Sequence, residues 1–529
     1  MASAQSQQAS LQKALWAAAN DLRSNMDANE FRNYLLGMIF YRYLSQNIEL
    51  AVAVDLAEEE ETATTFAELL ENYGLEYKES FIEELGYFIE PNDLFSTMIA
   101  EIQKGEFSVE HLSMAIGKLT QSTIGAESED DFNHLFDDMD LESSRLGNSV
   151  PARSALIAKV MLAIDQIEMD YADADIDILG DAYEYLIGQF AASAGKKAGE
   201  FYTPQMVSSI LAQVVTTGKE QLRSVYDPTA GSGSLLLRVG KEVDVHYYYG
   251  QELNGTTYNL ARMNLLLHGV KFDRFTVRQG DTLENDQFAD QKFDAVVANP
   301  PYSAKWSADP SKLDDARFQA FGKLAPKSKA DFAFVQNMLY HLDDNGTMAV
   351  VLPHGVLFRG AAEGVIRRYM IEKQNVLDTV IGLPANLFYG TSIPTAILIF
   401  KKNRDTKDVL FIDASNEFEK GKNQNNLTDE HVEKIMKTFV SRETIDKYSY
   451  LATREEIIEN DFNLNIPRYV DTFEEEEEID LVALSQELRT LNQEITTAEQ
   501  DFLALLNDLA VTEDSKDILA ATKAVFDYE

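Results

Sequence analysis

The chain has 529 residues, of which 45% are apolar and 25% are charged, and its formal charge at pH 7 is −42. The length predicts about two or three domains, and the absence of cysteine excludes disulfides and thiolate metal ligands, so no metal site is expected. The strong negative charge argues against the simplest nucleic-acid-binding protein, because a chain that grips phosphates unaided usually has a basic surface.

Neither a membrane span nor an export signal is expected. No stretch reaches the roughly 18 uncharged apolar residues of a membrane-spanning helix, and the opening MASAQSQQAS lacks the charged and apolar regions of a secretory signal. We therefore expect a cytoplasmic protein with no membrane partner. Its acidity serves solubility, leaves room for a local basic surface, or is offset by a basic partner.

Residues 1–190 are predicted to form a helical domain. In the segment NEFRNYLLGMIFYRYLSQ, the apolar residues Phe31, Leu35, Met38 and Tyr41 recur at steps of four and three, the spacing of one helix face. A second apolar-rich stretch, LGDAYEYLIGQF, is also typical of a helix. We expect this domain to act as a packing scaffold.

Residues 191–420 change to strands that alternate with helices, which predicts a Rossmann-like α/β domain on a parallel, doubly wound sheet. The helical stretches include TYNLARMNLLLHG and DFAFVQNMLYHL. In such sheets, ligands bind beyond the carboxyl ends of the strands. The stretches predicted to form buried strands are LRSVYD, HYYYGQE, FTVRQGD, FDAVVANPP, TMAVVLP, NVLDTVIGLP and PTAILIFKK.

The segment VYDPTAGSGSLLL has a strand, a glycine-rich turn and a helix in order. Gly231 and Gly233 allow positive φ and a close approach of the backbone to a ligand, and the free amides of the helix start favour anionic groups. Thr229 and Ser232 in the same turn are candidate cofactor contacts. Asp227 at the strand end would repel a pyrophosphate and suits a cationic ligand. A simple tight connection is the alternative.

Two more acidic residues end the next strands. Glu252 lies about 20 positions after the first glycine of the turn, where an acidic side chain meets ribose hydroxyls, and Asp281 would accept from an adenine amino group. Either alone is more typical of a solvated strand end or a helix cap, but three acidic strand ends in register predict S-adenosylmethionine. Tyr202 and Thr203 would receive its carboxylate; alternatively, Thr203 caps a helix that starts at Pro204.

The segment NPPY follows the strand FDAVVA and brings polar and aromatic groups to the same sheet edge. An adenine amino nitrogen is a poor nucleophile because its lone pair is delocalised into the ring. The Asn299 carboxamide oxygen and the Pro300 carbonyl would accept from its hydrogens and favour a tetrahedral, cation-like nitrogen. Tyr302 would stack on a base flipped out of a duplex. These three are the predicted catalytic residues, and Asn299 also borders the cofactor.

These motifs, with the opening LWAAANDLRSNMDANEFRNYLLGMIFYRYLS and the later LPHGVLFRG and NDFNLNIPRYV, resemble the modification (methyltransferase) subunit of type I restriction-modification systems. The order of FYTP, glycine-rich turn and NPPY is similar to that of the γ class of amino-methyltransferases. The resemblance implies N6-adenine methylation of DNA and a complex with a specificity subunit, a restriction subunit and a second modification subunit. It also implies that FYGTSIPT borders the target pocket, with Phe388 as a second stacking ring.

One basic segment follows NPPY directly. Residues 303–330 carry six basic residues against three acidic ones, a net charge of +3, and we predict that this segment lies along DNA. A surface loop without that role is the alternative. The candidate DNA contacts are Lys305, Lys312, Arg317, Lys323, Lys327 and Lys329.

Residues 421–529 are predicted to form a helical region for subunit assembly. From Leu481 to Leu509, apolar residues alternate steps of three and four, which indicates a coiled-coil seam of about four heptads. The seam must bury its apolar stripe against another helix. That helix belongs to the specificity subunit or to a second copy of this chain, or else to this chain in a hairpin.

Two other functions stay open from the sequence. The same chemistry on a protein glutamine would also use NPPY, and a non-catalytic assembly subunit would retain the fold with a vestigial cofactor site. A nicotinamide-dependent oxidoreductase is disfavoured by Asp227 and by the lack of a strict GxGxxG motif.

Overall fold

A computed structural model describes residues 28–58, 63–166, 183–188, 190, 203–388, 391–421, 424–472, 480–512 and 515–526. The chain divides into two compact units, one spanning Met1–Asp471 and the other Thr472–Glu529. Tyr202 and the acidic run at residues 474–478 lie outside the described residues.

The first part of the Met1–Asp471 unit is helical, as predicted. The apolar series on its first helix faces the core, where Phe31, Leu35 and Tyr41 are fully buried. Side-chain caps set the helix ends; for example, the Thr65 hydroxyl accepts from the Glu68 N–H at the start of the second helix. The helices are α1 (Ala28–Glu58), α2 (Phe66–Leu85), α3 (Phe95–Lys104), α4 (Val109–Ser122), α5 (Glu129–Phe132) and α6 (Val150–Asp165).

Among the described residues, a nine-stranded sheet follows, in the order β11-β8-β6-β7-β5-β4-β1-β2-β3. Its strands are β1 (Gln221–Asp227), β2 (Asp244–Glu252), β3 (Phe275–Gln279), β4 (Phe293–Ala298), β5 (Leu342–Pro353), β6 (Leu377–Gly382), β7 (Thr395–Lys401), β8 (Val409–Asp413) and β11 (Ser449–Ala452). A separate hairpin pairs β9 (Glu419–Lys420) with β10 (Asn425–Asn426). The helices of this part are α7 (Gln205–Thr216), α8 (Ser234–Glu242), α9 (Gly255–Leu267), α10 (Ala316–Gln319), α11 (Asp331–His341), α12 (Ala361–Glu372), α13 (Asp429–Ser441) and α14 (Arg454–Glu459).

Every stretch predicted to be a strand is one, but the sheet is mixed, so the expected all-parallel arrangement is wrong. The pairs β1–β2, β1–β4, β2–β3, β4–β5 and β6–β8 are parallel. In contrast, β7 lies antiparallel between β5 and β6, and β11 lies antiparallel to β8. A strand buried on both faces shows the same continuous apolar run in either direction, so its sequence does not reveal its direction.

The sheet also extends past residue 420, where we expected the methyltransferase-like domain to end. β11 pairs with β8, and the side chains of Ile435 and Phe439 on α13 join the same core as Val207 on α7. The predicted boundary therefore falls inside the sheet-bearing part of the chain. β8 and β11 span only five and four residues, too few to show a clear alternation.

Alternate residues of the central strands face two different cores. Val225 and Ala295 join the core that contains the N-terminal helices, whereas Tyr226 and Val296 join the core on the other face. The chain passes from β1 to β2 on one side of the sheet, while β4 pairs on the other side of β1. The strand order therefore reverses between β1 and β4, which is where ligands of such sheets bind.

The Thr472–Glu529 unit contains α15 (Leu481–Asn507) and α16 (Lys516–Ala524). Helix α15 confirms that the predicted seam is helical. Eight of its large apolar residues are between 41% and 73% exposed, whereas Leu503 and Leu506 are half-buried. The rings of Phe502 and Phe526 pack edge to face with centroids 5.3 Å apart, so the last part of α15 contacts the segment that follows α16.

Candidate active site

The glycine-rich turn joins β1 to α8 and lies against β2. Gly231 and Gly233 have φ of 56° and 78°, the left-handed backbone that favours glycine. The Ala230 N–H donates to the Gln251 carbonyl over 3.0 Å, and a Cβ added at Gly250 would meet the Ala230 Cβ at 3.0 Å. The turn is therefore held close to β2, next to the point where the strand order reverses.

Asp227 ends β1 directly before this turn and is 2% exposed. Its Oδ1 accepts from the Thr229 N–H over 2.8 Å and from the Thr229 hydroxyl over 3.3 Å. Burial raises the pKa of Asp227 to about 7; the Thr229 N–H opposes this rise and the Glu252 charge adds to it. Among the described residues, no Lys, Arg or His forms an ion pair with this carboxyl.

Glu252 ends β2 and contacts the same turn. Its Oε2 accepts from the Gly231 N–H over 2.9 Å, and its Oε1 accepts from the Asn254 N–H over 2.8 Å. Burial raises the pKa of Glu252, and these backbone donors oppose the rise. The carboxylate thus fixes the turn and starts α9, and its two oxygens together can still accept from a further donor.

Asp281 follows β3 at the same edge of the sheet. Its Oδ1 accepts from the Leu283 N–H over 2.9 Å, so the carboxylate caps a local turn. The neighbouring Thr282 hydroxyl donates to the Pro228 carbonyl over 2.6 Å, which ties this turn to the residue after Asp227. The acidic strand ends of β1, β2 and β3 therefore lie side by side, in the order in which the strands pair.

Thr203 and Ser232 lie just before the helices α7 and α8, respectively. Thr203 precedes α7, which starts at Gln205 with Pro204 as its N-cap, so Thr203 is not the cap residue. Thr203 and Ser234, at the start of α8, line the same small cavity. The Ser232 hydroxyl lies 2.8 Å from that of Ser234.

Asn299 follows β4 and is held by two hydrogen bonds. Its Nδ2 donates to the Thr203 hydroxyl over 3.1 Å, and its Oδ1 accepts from the Tyr302 hydroxyl over 2.8 Å. Pro300 beside it is buried. The carboxamide therefore has a defined orientation at the edge that carries Asp227.

Two aromatic rings meet at the end of NPPY. Tyr302 and Phe388 pack edge to face, with ring centroids 5.9 Å apart and an interplanar angle of 79°. Burial raises the pKa of Tyr302 well above its usual range, and the Asp331 charge adds to the rise. Phe388 is 3% exposed, so in this arrangement it supports the Tyr302 ring instead of offering a face of its own.

The sequence interpretation missed an ion pair next to NPPY, between the buried Asp331 and the half-buried Arg359. The Ser303 N–H donates to Asp331 Oδ1 over 2.7 Å, and Arg359 Nη2 donates to Asp331 Oδ2 over 2.6 Å. Asp331 starts helix α11, where an acidic residue is ordinarily a favourable end charge. An acidic residue at a helix start is common, so the sequence did not indicate that Asp331 pairs with Arg359.

The basic segment divides into exposed and engaged side chains. Lys305, Lys323 and Lys327 are exposed. Lys329 is half-buried and donates to the Ser303 hydroxyl over 3.2 Å, and Lys312 donates to Glu284 and to the Leu283 carbonyl, both over 2.9 Å.

Arg317 is 6% exposed, which contradicts the prediction that it contacts DNA. Its guanidinium donates to Asp315 over 2.7 Å, to the Thr282 carbonyl over 2.7 Å and to Asn337 over 3.0 Å. Arg317 was predicted to lie on the surface because it belongs to a basic segment. In the structure, its guanidinium instead connects its own segment to Asn337 on α11.

Within the described ranges, no His, Cys, Asp or Glu side chains group in threes or more to hold a metal ion. The helices described there also lack the combined length and apolar character needed to cross a lipid bilayer.

The fold and these residues define a class: a Rossmann-like methyltransferase domain preceded by a helical domain. A family model described as N-6 DNA Methylase matches residues 174–478, and a model described as HsdM N-terminal domain matches residues 11–164. The chain belongs to the methylase subunits of type I restriction enzymes.

Individual relatives agree with this assignment. The type I restriction enzyme MpnII methylase subunit from Mycoplasma pneumoniae is 36% identical, with 94% of this chain and 95% of that protein covered. The MjaVII methylase subunit from Methanocaldococcus jannaschii is 36% identical over 62% of this chain and 58% of that protein. The crystal structure of a type I restriction-modification methyltransferase subunit from Streptococcus thermophilus matches with a TM-score of 0.81 and 48% identity, covering 88% of this chain and 100% of that one.

Proposed function

We propose that the chain transfers a methyl group from S-adenosylmethionine to N6 of adenine in DNA, at a site chosen by a separate specificity subunit. One observation carries the proposal: the Asn299 carboxamide follows β4 at the edge where Asp227 ends the paired strand β1. An amide acceptor and a buried acidic group without a cationic partner thus meet where the strand order reverses.

The groups at this edge fit an adenosine that carries a cationic, amino-acid-like end. Asp227 supplies a carboxyl for the positive charge, and Glu252 keeps lone pairs for ribose hydroxyls. The left-handed glycines leave the backbone of the turn open to close approach. Asp281 would accept from the adenine amino group, and Thr203 would donate to the carboxylate. When bound, the cofactor supplies a methyl group activated by its sulfonium.

The acceptor end of the site favours a pyramidal amine. Asn299 Oδ1 and the Pro300 carbonyl accept from the two hydrogens of the target amino group, which directs its lone pair toward the methyl. The Tyr302 hydroxyl occupies one lone pair of Asn299 Oδ1 and leaves the other for the amine. The proton departs to solvent after the methyl arrives, so a strong general base is not required.

The target base must leave the duplex to reach this edge. Tyr302 stacks on the flipped adenine, and Phe388 holds the tyrosine ring in place from behind. Stacking of this kind is worth about 1–3 kcal/mol per base. The ring therefore offsets part of the cost of unpairing.

The net negative charge of the chain is compatible with DNA binding if this chain and the specificity subunit contact different parts of the DNA. The exposed Lys305, Lys323 and Lys327 hold the DNA backbone next to the flipped base, while the specificity subunit supplies sequence recognition. The exposed stripe of α15 packs on helices of the specificity subunit or of a second modification subunit. A restriction subunit completes the complex.

The test is to co-express the chain with the specificity subunit encoded beside it in a host without adenine methylation. We expect N6-methyladenine at one defined sequence in the host DNA, and none with Asn299→Ala, although this variant still binds S-adenosylmethionine. Transfer of labelled methyl to protein but not to DNA would instead support the glutamine-methylating alternative. Full activity of Asn299→Ala would remove the proposed role of the carboxamide.

A further inference from the structure

The backbone makes a strained turn directly after NPPY. Ser303 has φ of 54°, a left-handed conformation that is costly for a residue with a Cβ and persists only when its surroundings hold it. Its N–H donates to Asp331 Oδ1 over 2.7 Å. One residue further on, the Ala304 carbonyl accepts from the Ala330 N–H over 2.9 Å. The exit of NPPY is thereby fastened to the start of α11.

Asp331 is in turn fixed by a half-buried cation, Arg359. Asp331 is 0% exposed, and its Oδ2 accepts from Arg359 Nη2 over 2.6 Å. Arg359 also donates to Glu363, which is 2% exposed, through Nε and through Nη2 over 2.8 Å. Buried carboxylates need a counter-charge, and here one guanidinium serves two of them. The network therefore links NPPY, α11 and α12.

We infer that Asp331 and Arg359 are positioning residues that set the backbone of NPPY for methyl transfer; this inference rests on the proposed function. Neither side chain contacts the catalytic groups directly. Asp331 acts on the residue after Tyr302, and the Tyr302 hydroxyl is bonded to Asn299, so a shift of Ser303 moves the ring and the carboxamide together. A displacement of about 1 Å at reacting groups costs about 10²-fold in rate.

The chain offers a matched control for the loss of a buried ion pair. Arg404 follows β7 and pairs with Asp378 over 3.3 Å, with side chains 4% and 6% exposed. Because β7 runs antiparallel to β5, Arg404 lies at the opposite edge of the sheet from Asn299. Its removal costs stability without touching NPPY.

The experiment compares Asp331→Ala, Asp331→Asn, Arg359→Ala and Arg404→Ala in the full chain, purified with its specificity subunit. We expect kcat to fall about 10²-fold for Asp331→Ala and Arg359→Ala. Asp331→Asn should fall only about tenfold, because the asparagine oxygen still accepts from the Ser303 N–H. The Kd for S-adenosylmethionine should stay within about threefold for all four variants, and Arg404→Ala should lower the thermal midpoint while its kcat stays within threefold.

Hydrogen exchange of the peptide containing residues 299–306, followed by mass spectrometry, gives a readout that does not depend on turnover. Exchange should accelerate in Asp331→Ala and Arg359→Ala but not in Arg404→Ala. The inference is overturned if Asp331→Ala matches Arg404→Ala in both kcat and exchange, or if cofactor affinity falls in proportion to kcat. If the wild-type complex methylates no adenine, the proposed function fails, and hydrogen exchange alone decides whether the pair holds the segment.

Discussion

The Tyr302 hydroxyl donates to Asn299 Oδ1 over 2.8 Å. Both residues belong to NPPY, and their side chains are therefore coupled before any substrate arrives. The ring proposed to carry the base also orients the carboxamide proposed to accept from its amino group. The two roles can be separated by removing the hydroxyl and keeping the ring.

Tyr302→Phe is expected to lower kcat about tenfold, the effect of losing one hydrogen bond of about 1.4 kcal/mol. The affinity for DNA should change little, because the stacking ring is retained. Tyr302→Ala should lower both kcat and DNA affinity. Initial rates of labelled methyl transfer and DNA titrations measure the two effects, and a fully active Tyr302→Phe would refute the orienting role of the hydroxyl.

Cofactor affinity should depend on pH through Asp227. Burial raises the pKa of this carboxyl to about 7, so it is mostly neutral at pH 6 and mostly ionised at pH 8. If only the ionised form attracts the cationic cofactor, the Kd for S-adenosylmethionine should be about tenfold higher at pH 6 than at pH 8. Calorimetric titration of wild type and Asp227→Asn checks this. The variant should bind weakly at both pH values, and a wild-type affinity independent of pH would contradict the assignment.

The same pKa predicts a stability effect of opposite direction in the cofactor-free protein. A carboxyl whose pKa is raised on folding contributes stability below its unfolded pKa and loses that contribution as pH rises through about 7. Asp227→Asn has no charge to bury, so it should be more stable than wild type at pH 8, by about 1–3 kcal/mol. The gain should shrink toward pH 5. Thermal midpoints of both proteins at the two pH values test the sign.

The three exposed lysines should carry the salt dependence of DNA binding. Replacing Lys305, Lys323 and Lys327 with Ala is expected to reduce the slope of log affinity against log salt by about 2–3, since each phosphate contact contributes about 0.9. Arg317→Ala is the control: it also removes one positive charge, as each lysine substitution does, but this charge is buried in a hydrogen-bond network. It should lower the thermal midpoint and leave the slope unchanged. An unchanged slope in the triple variant would place the DNA elsewhere.

The exposed stripe of α15 should be required for assembly. Leu488 and Leu491 are both 52% exposed on this stripe, and replacing both with Ser should abolish co-purification with the specificity subunit or with a second, differently tagged modification subunit. Gln486 and Gln493 occupy the opposite face of the heptad, so Ser at both positions should have no effect. Cofactor binding should survive in both variants. If the leucine variant kept both the specificity subunit and a second modification subunit, assembly would be assigned to another surface.

The shared location of the acidic strand ends could be predicted because the alternation of strands with helices indicates that neighbouring strands are parallel. Once β1, β2 and β3 are taken as parallel, Asp227, Glu252 and Asp281 must meet at one edge. The same logic cannot orient β7, whose apolar run is identical in either direction. Strand direction there is decided by the loop that joins β6 to β7.

Partners of single charges could not be predicted either. Asp331 and Arg359 are 28 positions apart and meet only because α11 and the loop after β5 fold onto NPPY. Arg317 was predicted to be on the surface because the sequence does not show which backbone carbonyls its guanidinium contacts in the fold. Its contact with the Thr282 carbonyl depends on the path of a loop 35 positions earlier.

The antiparallel insertion of β7 affects how the chain is made. Strands β1 to β5 are complete by residue 353 and form a contiguous block. In the described sheet, β6 pairs only with β7 and β8, which end at residues 401 and 413. A nascent chain that has just left the ribosome through residue 382 therefore presents an apolar strand with both edges unsatisfied, the condition that favours aggregation and chaperone capture. Completion of β8 ends that interval.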